Sequence, residues 1–142
     1  MSRIELVKAY FNMDDPGRHA YLSDDFQWTG ELGDPIDKST WVAQGGLVES
    51  AFPDLSLVID EIRENGDNVV VKSHLTGTFS NDLDLTPFGF DVIPATGKRV
   101  DFPSGSDVVS FENGKISELH NTDTGPDAGM AGFLRALGVK MG

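Results

Sequence analysis

Cysteine is absent from the 142 residues. That excludes disulfides, thiolate nucleophiles, iron–sulfur clusters and Cys-ligated zinc, and it leaves the redox compartment open. Histidine is scarce. His19, His74 and His120 are scattered too widely to give a metal-ligand spacing. Positive charge is in short supply as well: Lys and Arg total 11 against 23 Asp and Glu, a formal net charge of −12. Such a surface repels phosphate, so neither nucleic acid nor an anionic membrane is an expected partner. No apolar run approaches the ~20 residues that span a bilayer. The start Met1-Ser2-Arg3-Ile4-Glu5 lacks a signal peptide's apolar centre, so the cytoplasm is the expected location. The acidic stretch Asn81-Asp82-Leu83-Asp84 lacks the spacing and terminal Glu of an EF-hand and reads as a solvated loop.

What is present suits one domain over residues 1–142: 39% hydrophobic and 24% charged residues, with material for one core. Ser2 and Glu5 make a capping box. Ile4, Val7 and Phe11 then recur at helical spacing, widened by Leu6, Tyr10 and Met13, until Asp14-Asp15-Pro16-Gly17 closes the helix. A short helical turn is expected through His19 to Leu22, with His19 itself on the surface. Asp25 to Thr29 alternates as a strand. A second helix is predicted between Ser39 and Phe52 on Trp41, Val42, Leu47, Val48 and Ala51. Gly45-Gly46 inside it costs roughly 1 kcal/mol per Gly relative to Ala, and Pro53 stops it.

Strands predominate after that. Leu55 to Asp60 alternates, Asn65-Gly66 is a hairpin turn, and Val69 to Ser80 is a long β-rich run. Residues 81–97 form an excursion with Pro87, Gly89, Pro94 and Gly97, and its two Phe, Phe88 and Phe90, suit a lid or a dimer contact. Lys98 to Phe102 is extended. Asp107 to Phe111 and Lys115 to Thr122 pair around Asn113-Gly114. Pro126 begins a C-terminal helix with Met130, Phe133, Leu134 and Leu137 on its apolar face and Gly138 at its end. Helices come first and antiparallel strands follow without crossover helices, so the class is α+β rather than α/β. A twisted sheet with helices on one face curls into a cone, and a cone has an interior.

Five segments carry a family resemblance: Ala51-Phe52-Pro53-Asp54-Leu55, Gly66-Asp67-Asn68-Val69-Val70-Val71, Thr76-Gly77-Thr78, Pro94-Ala95-Thr96-Gly97-Lys98-Arg99-Val100, and Glu112-Asn113-Gly114-Lys115-Ile116-Ser117-Glu118. In this order and spacing the chain resembles the SnoaL-like polyketide cyclases of the nuclear transport factor 2-like superfamily. The resemblance implies a cone-shaped, strongly curved antiparallel sheet with N-terminal helices on its concave face, and a homodimer through the outer face. It implies a small hydrophobic ligand and no metal or organic cofactor. Activities on this fold include polyketide ring closure, ketosteroid isomerisation, epoxide hydrolysis and dehydration, so fold alone does not fix function.

The chemistry common to such pockets is proton transfer by a desolvated carboxylate or imidazole, aided by a donor for the oxyanion that develops. On the long strand, Val70, Lys72, His74, Thr76 and Thr78 share one face and Val69, Val71, Ser73, Leu75 and Phe79 the other. Both sets are mixed, and the resemblance favours His74 and Thr76 pointing inward. On the last strand Glu118, His120 and Thr122 oppose Leu119, Asn121 and Asp123. Catalytic relatives carry an acid near Asp123, and many have a Trp where His120 stands. A regular strand sends His120 and Asp123 to opposite faces, so their cooperation requires a bulge. The expected catalytic set is Asp123 as base and acid, with His120 and His74 polarising or relaying. Asp123 alternatively caps the last helix, and His74 is alternatively a hydrogen-bonded strand residue. The expected pocket wall is Tyr10, Phe11, Trp28, Trp41, Phe52, Thr76 and Thr122. Arg99 and Asp101 read as a surface ion pair. A binding module without turnover, or a solidly packed dimerisation domain, are the readings from other classes.

Overall fold

A computed structural model describes residues 1–31, 34–123 and 136–137. Helix α1 spans Arg3–Tyr10. Its capping box forms as the sequence implies: Ser2 Oγ accepts from Glu5 N at 3.1 Å, and Ser2 N donates to Glu5 Oε1 at 3.3 Å. Leu6, Val7 and Tyr10 are buried along it. A 3₁₀ turn, Arg18–Tyr21, leads into β1, Leu22–Gly30. After β2, Ile36–Asp37, comes α2, Lys38–Ala51, whose first turn is capped by Asp37 Oδ1 accepting from Thr40 N at 2.9 Å. The remaining strands are β3 (Ser56–Asn65), β4 (Asn68–Thr78), β5 (Leu83–Asp84), β6 (Val92–Ile93), β7 (Arg99–Asp101), β8 (Gly105–Glu112) and β9 (Lys115–Asn121). Apart from Ala136 and Leu137, the helix expected from Pro126 lies outside the described residues.

The main sheet runs β2-β1-β9-β8-β4-β3, with β7 also paired to β4. Its pairs are antiparallel except β1 with β9, which are parallel. Tight hairpins force antiparallel pairing, but β1 enters from the helical layer and is free of that constraint. One edge of β4 is shared: Val69 to Ser73 pair with β8, and Thr76 to Thr78 pair with β7. Between those partners Phe102-Pro103-Ser104 turns a corner. Extra residues at Asp60 in β3 and Ser117 in β9 break the register. Each bulge bends its strand and adds twist, which curls the sheet around the helices.

Asn113 and Gly114 both have positive φ, 52° and 76°, as a two-residue type I′ hairpin requires. In the other hairpin Asn65 pairs with Asn68, so its central residues are Gly66 and Asp67, one place later than Asn65-Gly66. Two core clusters result. Leu6, Val7, Tyr10 and Phe11 pack on Leu22, Phe26, Val69, Val71, Val109, Ile116 and Leu119. Phe52 lies with Ala51, Leu55, Phe79, Leu83, Leu85 and Phe102 in the second. The 81–97 excursion folds as the β5–β6 hairpin and sinks Leu83 and Leu85 into that second cluster.

Candidate functional site

On α2, Trp41, Gln44, Gly45 and Val48 follow helical spacing onto one face. That face covers a cavity of about 360 Å³ whose other walls come from α1, the 3₁₀ turn and the concave sheet. Trp28 and Trp41 both line it, stacked at 6.0 Å between centroids with 9° between planes. Trp41 Nε1 donates to Tyr10 Oη at 2.8 Å. Burial pushes the Tyr10 phenol above its ordinary pKa, against the opposing effects of the Trp41 bond and of Arg18. A second hollow, about 540 Å³, lies between the start of α1 and the β8–β9 turn. Exposed side chains such as Met1, Arg3, Glu112 and Lys115 make most of its wall, so it offers no desolvated acid or base.

The sheet supplies the ionisable groups. Alternation along β8 puts Asp107 on the same side as buried Val109. Alternation along β9 puts Leu119, Asn121 and the following Asp123 on one face, and all three line the cavity with Asp107. A single amide ties the two acids together: Asn121 Nδ2 donates to Asp107 Oδ1 at 3.2 Å and to Asp123 Oδ2 at 3.1 Å. Ser106 N also donates to Asp123 Oδ2, at 3.2 Å. Glycine at 105 leaves room for this carboxylate: a Cβ at that position would stand 3.0 Å from Asp123 Oδ2 and push it aside. Loss of water pushes the Asp107 carboxyl up to about 6. The charge of Asp123 adds to the rise, and the Asn121 hydrogen bond opposes it. A carboxyl that titrates near neutrality can take a proton from a substrate and return it.

Asp123, Tyr10, Phe11, Trp28 and Trp41 all line the cavity. His74 touches the cavity too, but its Nδ1 is 2.9 Å from Asp60 Oδ2. On β4 the core side belongs to Val69, Val71 and Ser73 rather than to the set containing His74 and Thr76. Thr76 is buried away from the cavity lining. His120 goes to the other face of the sheet: Nδ1 lies 2.7 Å from Thr29 Oγ1, and Nε2 lies 2.9 Å from Glu31 Oε1. The bulge at Ser117 comes before His120 and leaves the alternation through 118–121 regular, so it does not turn the ring inward. Thr122 is exposed and donates to Ser106 O at 3.2 Å. Phe52 is fully buried against Phe79, centroids 5.0 Å apart, and fills the second core cluster instead.

Arg99 and Asp101 form an exposed ion pair at 3.6 Å. No described side chain of the 81–97 excursion lines the cavity, so the lid reading has no contact to rest on. Sequence reasoning missed Asp107, Asn121 and His19. His19, expected at the surface, lines the cavity. The signal for Asp107 was available: it stands two residues before core Val109, and an acid on a core face needs a reason. Among the described residues no group of three His, Cys, Asp or Glu is placed to hold a metal ion, and no helix is long and apolar enough to cross a membrane.

Residues 5–119 match the SnoaL-like domain family. No curated protein matches the sequence. Among solved structures, AclR, a candidate hydroxylase from Streptomyces galilaeus, is similar with a TM-score of 0.73 and 23% identity, over 96% of this chain and 84% of that one. A candidate SnoaL-like polyketide cyclase from Jannaschia sp. CCS1 gives 0.66 and 20%, over 84% and 83%. An NTF2-like protein of unknown function from Burkholderia pseudomallei K96243 gives 0.65 and 20%, over 98% and 100%. At these identities the likeness concerns the α+β cone, and its holders differ in the reaction assigned to them.

Proposed function

The chain belongs to the SnoaL-like domain family, and from that premise we propose that it is a cofactor-independent acid–base enzyme. Its substrate is a small hydrophobic carbonyl compound, and its reaction is a cyclisation or isomerisation. The observation that carries this reading is one carboxyl, Asp107, raised to about 6 inside an aromatic-walled cavity. At pH 7 Asp107 is mostly ionised and removes a proton from carbon. Once protonated, the half-buried carboxyl returns that proton to a second position of the substrate. Asn121 fixes the carboxyl's orientation, burial raises its basicity, and the charge of Asp123 adds to the rise. Tyr10 Oη accepts from Trp41, which leaves the phenol's own proton to donate to the developing enolate oxygen. Asp123, first choice for base from sequence, thus becomes the tuning neighbour. His74 and His120, each bonded to a carboxylate, take no step. The family resemblance adds a homodimer through the outer sheet face, and the net charge of −12 argues against nucleic acid or an anionic membrane as partner.

The test follows the proton. Aryl ketones and β-ketoesters are incubated with the protein in D₂O, and loss of the α-proton signal is read by NMR. Wild type should accelerate exchange for at least one compound, and Asp107→Asn should lose about 100-fold or more of that rate. Equal rates in the two proteins would remove Asp107 from the mechanism. Ligands that raise the melting temperature without any exchange would point instead to a binding module without turnover.

A further inference from the structure

The acid–base reading leaves one polar side chain on the concave face of the sheet without a task. Ser73 is buried, lines the cavity, and follows Val69 and Val71 along the inner side of β4. Its Oγ has no hydrogen-bond partner among the described residues, and unlike His19 Nδ1 it is not sealed off from a water-sized sphere. Its place is fixed from both sides, because Ser73 pairs with Ile59 on β3 and with Gly105 on β8. Val71, two residues earlier, stands opposite Asp107. Ser73 and Asp107 are therefore diagonal neighbours on one face of the sheet, about 7 Å apart at Cβ. Opposite Ser73, Gly105 contributes no side chain, and the Asp123 carboxylate occupies the space a Cβ would claim.

Donors and acceptors around Asp107 narrow what this hydroxyl can do. Asn121 Nδ2 spends its hydrogens on Asp107 Oδ1 and Asp123 Oδ2, and Ser106 N also serves Asp123. Neither acid accepts from Ser73, so the serine O–H is an uncommitted donor beside groups that, when ionised, only accept. An anionic ligand group would meet both carboxylates, so the group that Ser73 takes is a neutral oxygen. A span of about 7 Å holds a carbonyl and its α-carbon, with one hydrogen-bond distance at each end. When Asp107 removes the α-proton, the C–H electron pair becomes the new C=C bond and the carbonyl π pair passes to oxygen. The negative charge thus leaves Asp107 and arrives on the Ser73 side, where an O–H can meet it. We propose that Ser73 is a catalytic residue whose hydroxyl donates to the substrate's carbonyl oxygen from the sheet wall, as Tyr10 does from the helical wall. The catalytic part rests on the acid–base reading, whereas carbonyl binding by Ser73 does not require it.

Two readouts test it. Fluorenone has a carbonyl and no α-hydrogen, so it reports binding alone. Its isotope-labelled carbonyl stretch, read from infrared difference spectra of the bound form, should lie at lower frequency in wild type than in Ser73→Ala. In the D₂O exchange assay, Ser73→Ala should lose about tenfold or more of the rate at saturating ketone. The pH midpoint of that rate should not move, because a serine hydroxyl carries no charge. Ser73→Cys keeps the shape and donates weakly, so it should behave as the alanine variant does. Wild-type exchange in the cysteine variant would assign Ser73 to packing. A stretch identical in wild type and Ser73→Ala, or failure of fluorenone to bind wild type, overturns the assignment. So does undiminished exchange in Ser73→Ala when Asp107→Asn has lost it, a result that leaves the acid–base reading standing. A Ser73-dependent stretch with no exchange by wild type ends the acid–base reading instead, and keeps Ser73 as a carbonyl-binding residue.

Discussion

Asp107→Asn should make the protein more stable while removing its activity. A carboxyl moved from 3.8 to about 6 is harder to ionise in the folded chain than in the unfolded one. At 1.36 kcal/mol per pH unit, ionising it costs the fold about 3 kcal/mol. The sign follows from which state binds the proton more tightly. Well below pH 4 both states are protonated and nothing is lost. Between about 4 and 6 the unfolded chain ionises first, so stability falls as pH rises, and above 6 the full cost is present. Asparagine carries no charge at any of these pH values, and its Oδ1 can still accept from Asn121 Nδ2. Wild type and variant should therefore match near pH 4 and separate by up to about 3 kcal/mol at pH 8. For a chain of this size each kcal/mol is roughly 2–4 °C in Tm. Urea denaturation from pH 4 to pH 8 gives both curves, and their difference isolates one acid from the others. A variant no more stable at pH 8, or a difference that does not vary with pH, would refute the claim that Asp107 is desolvated. The trade is of the kind expected where a site holds a group its fold would do better without.

Three further outcomes follow from the same geometry. Asp123→Asn removes the like charge beside Asp107, so the Asp107 carboxyl should titrate at lower pH in carbon-detected NMR; an unchanged titration would show the two acids to be independent. Gly45 and Gly46 both leave open space for a Cβ, so alanine at either should add about 1 kcal/mol through helix propensity. Leucine at Gly45, on the cavity face, should abolish the α-proton exchange read in D₂O, whereas leucine at Gly46 should not.

Local rules carried much of the fold. The Ser2–Glu5 box, the Asn113-Gly114 turn and the alternation of β3 are short-range chemistry, and each formed within a residue or two of its expected place. The parallel pairing of β1 with β9 was illegible because nothing in either strand's own pattern names its partner. The site divides in the same way. Trp28, Trp41, Tyr10 and Phe11 were legible because large aromatic residues on inward stripes must line whatever interior a cone has. His74 and Thr76 were placed by resemblance: His74 does line the cavity, beside Ser73 and Leu75, whereas Thr76 is buried off it. His120 failed because a regular strand end obeys the period of two. Asp107 was overlooked because it opens a strand, where an acid reads as solvated. His19 was misread because it stands on a short turn held against Tyr10, a long-range contact that no local pattern announces.

The parallel contact between β1 and β9 also constrains how the chain can be made. Leu22 lies opposite Ile116 and Trp28 opposite Leu119, so the first long strand waits for nearly the last one before it gains its main neighbour. During synthesis from the N-terminus, Leu22 and Phe26 emerge well ahead of the surface that will cover them. Distant pairings of this sort slow folding relative to local hairpins. The nascent chain should therefore remain open, and dependent on protection from aggregation, until β9 has left the ribosome.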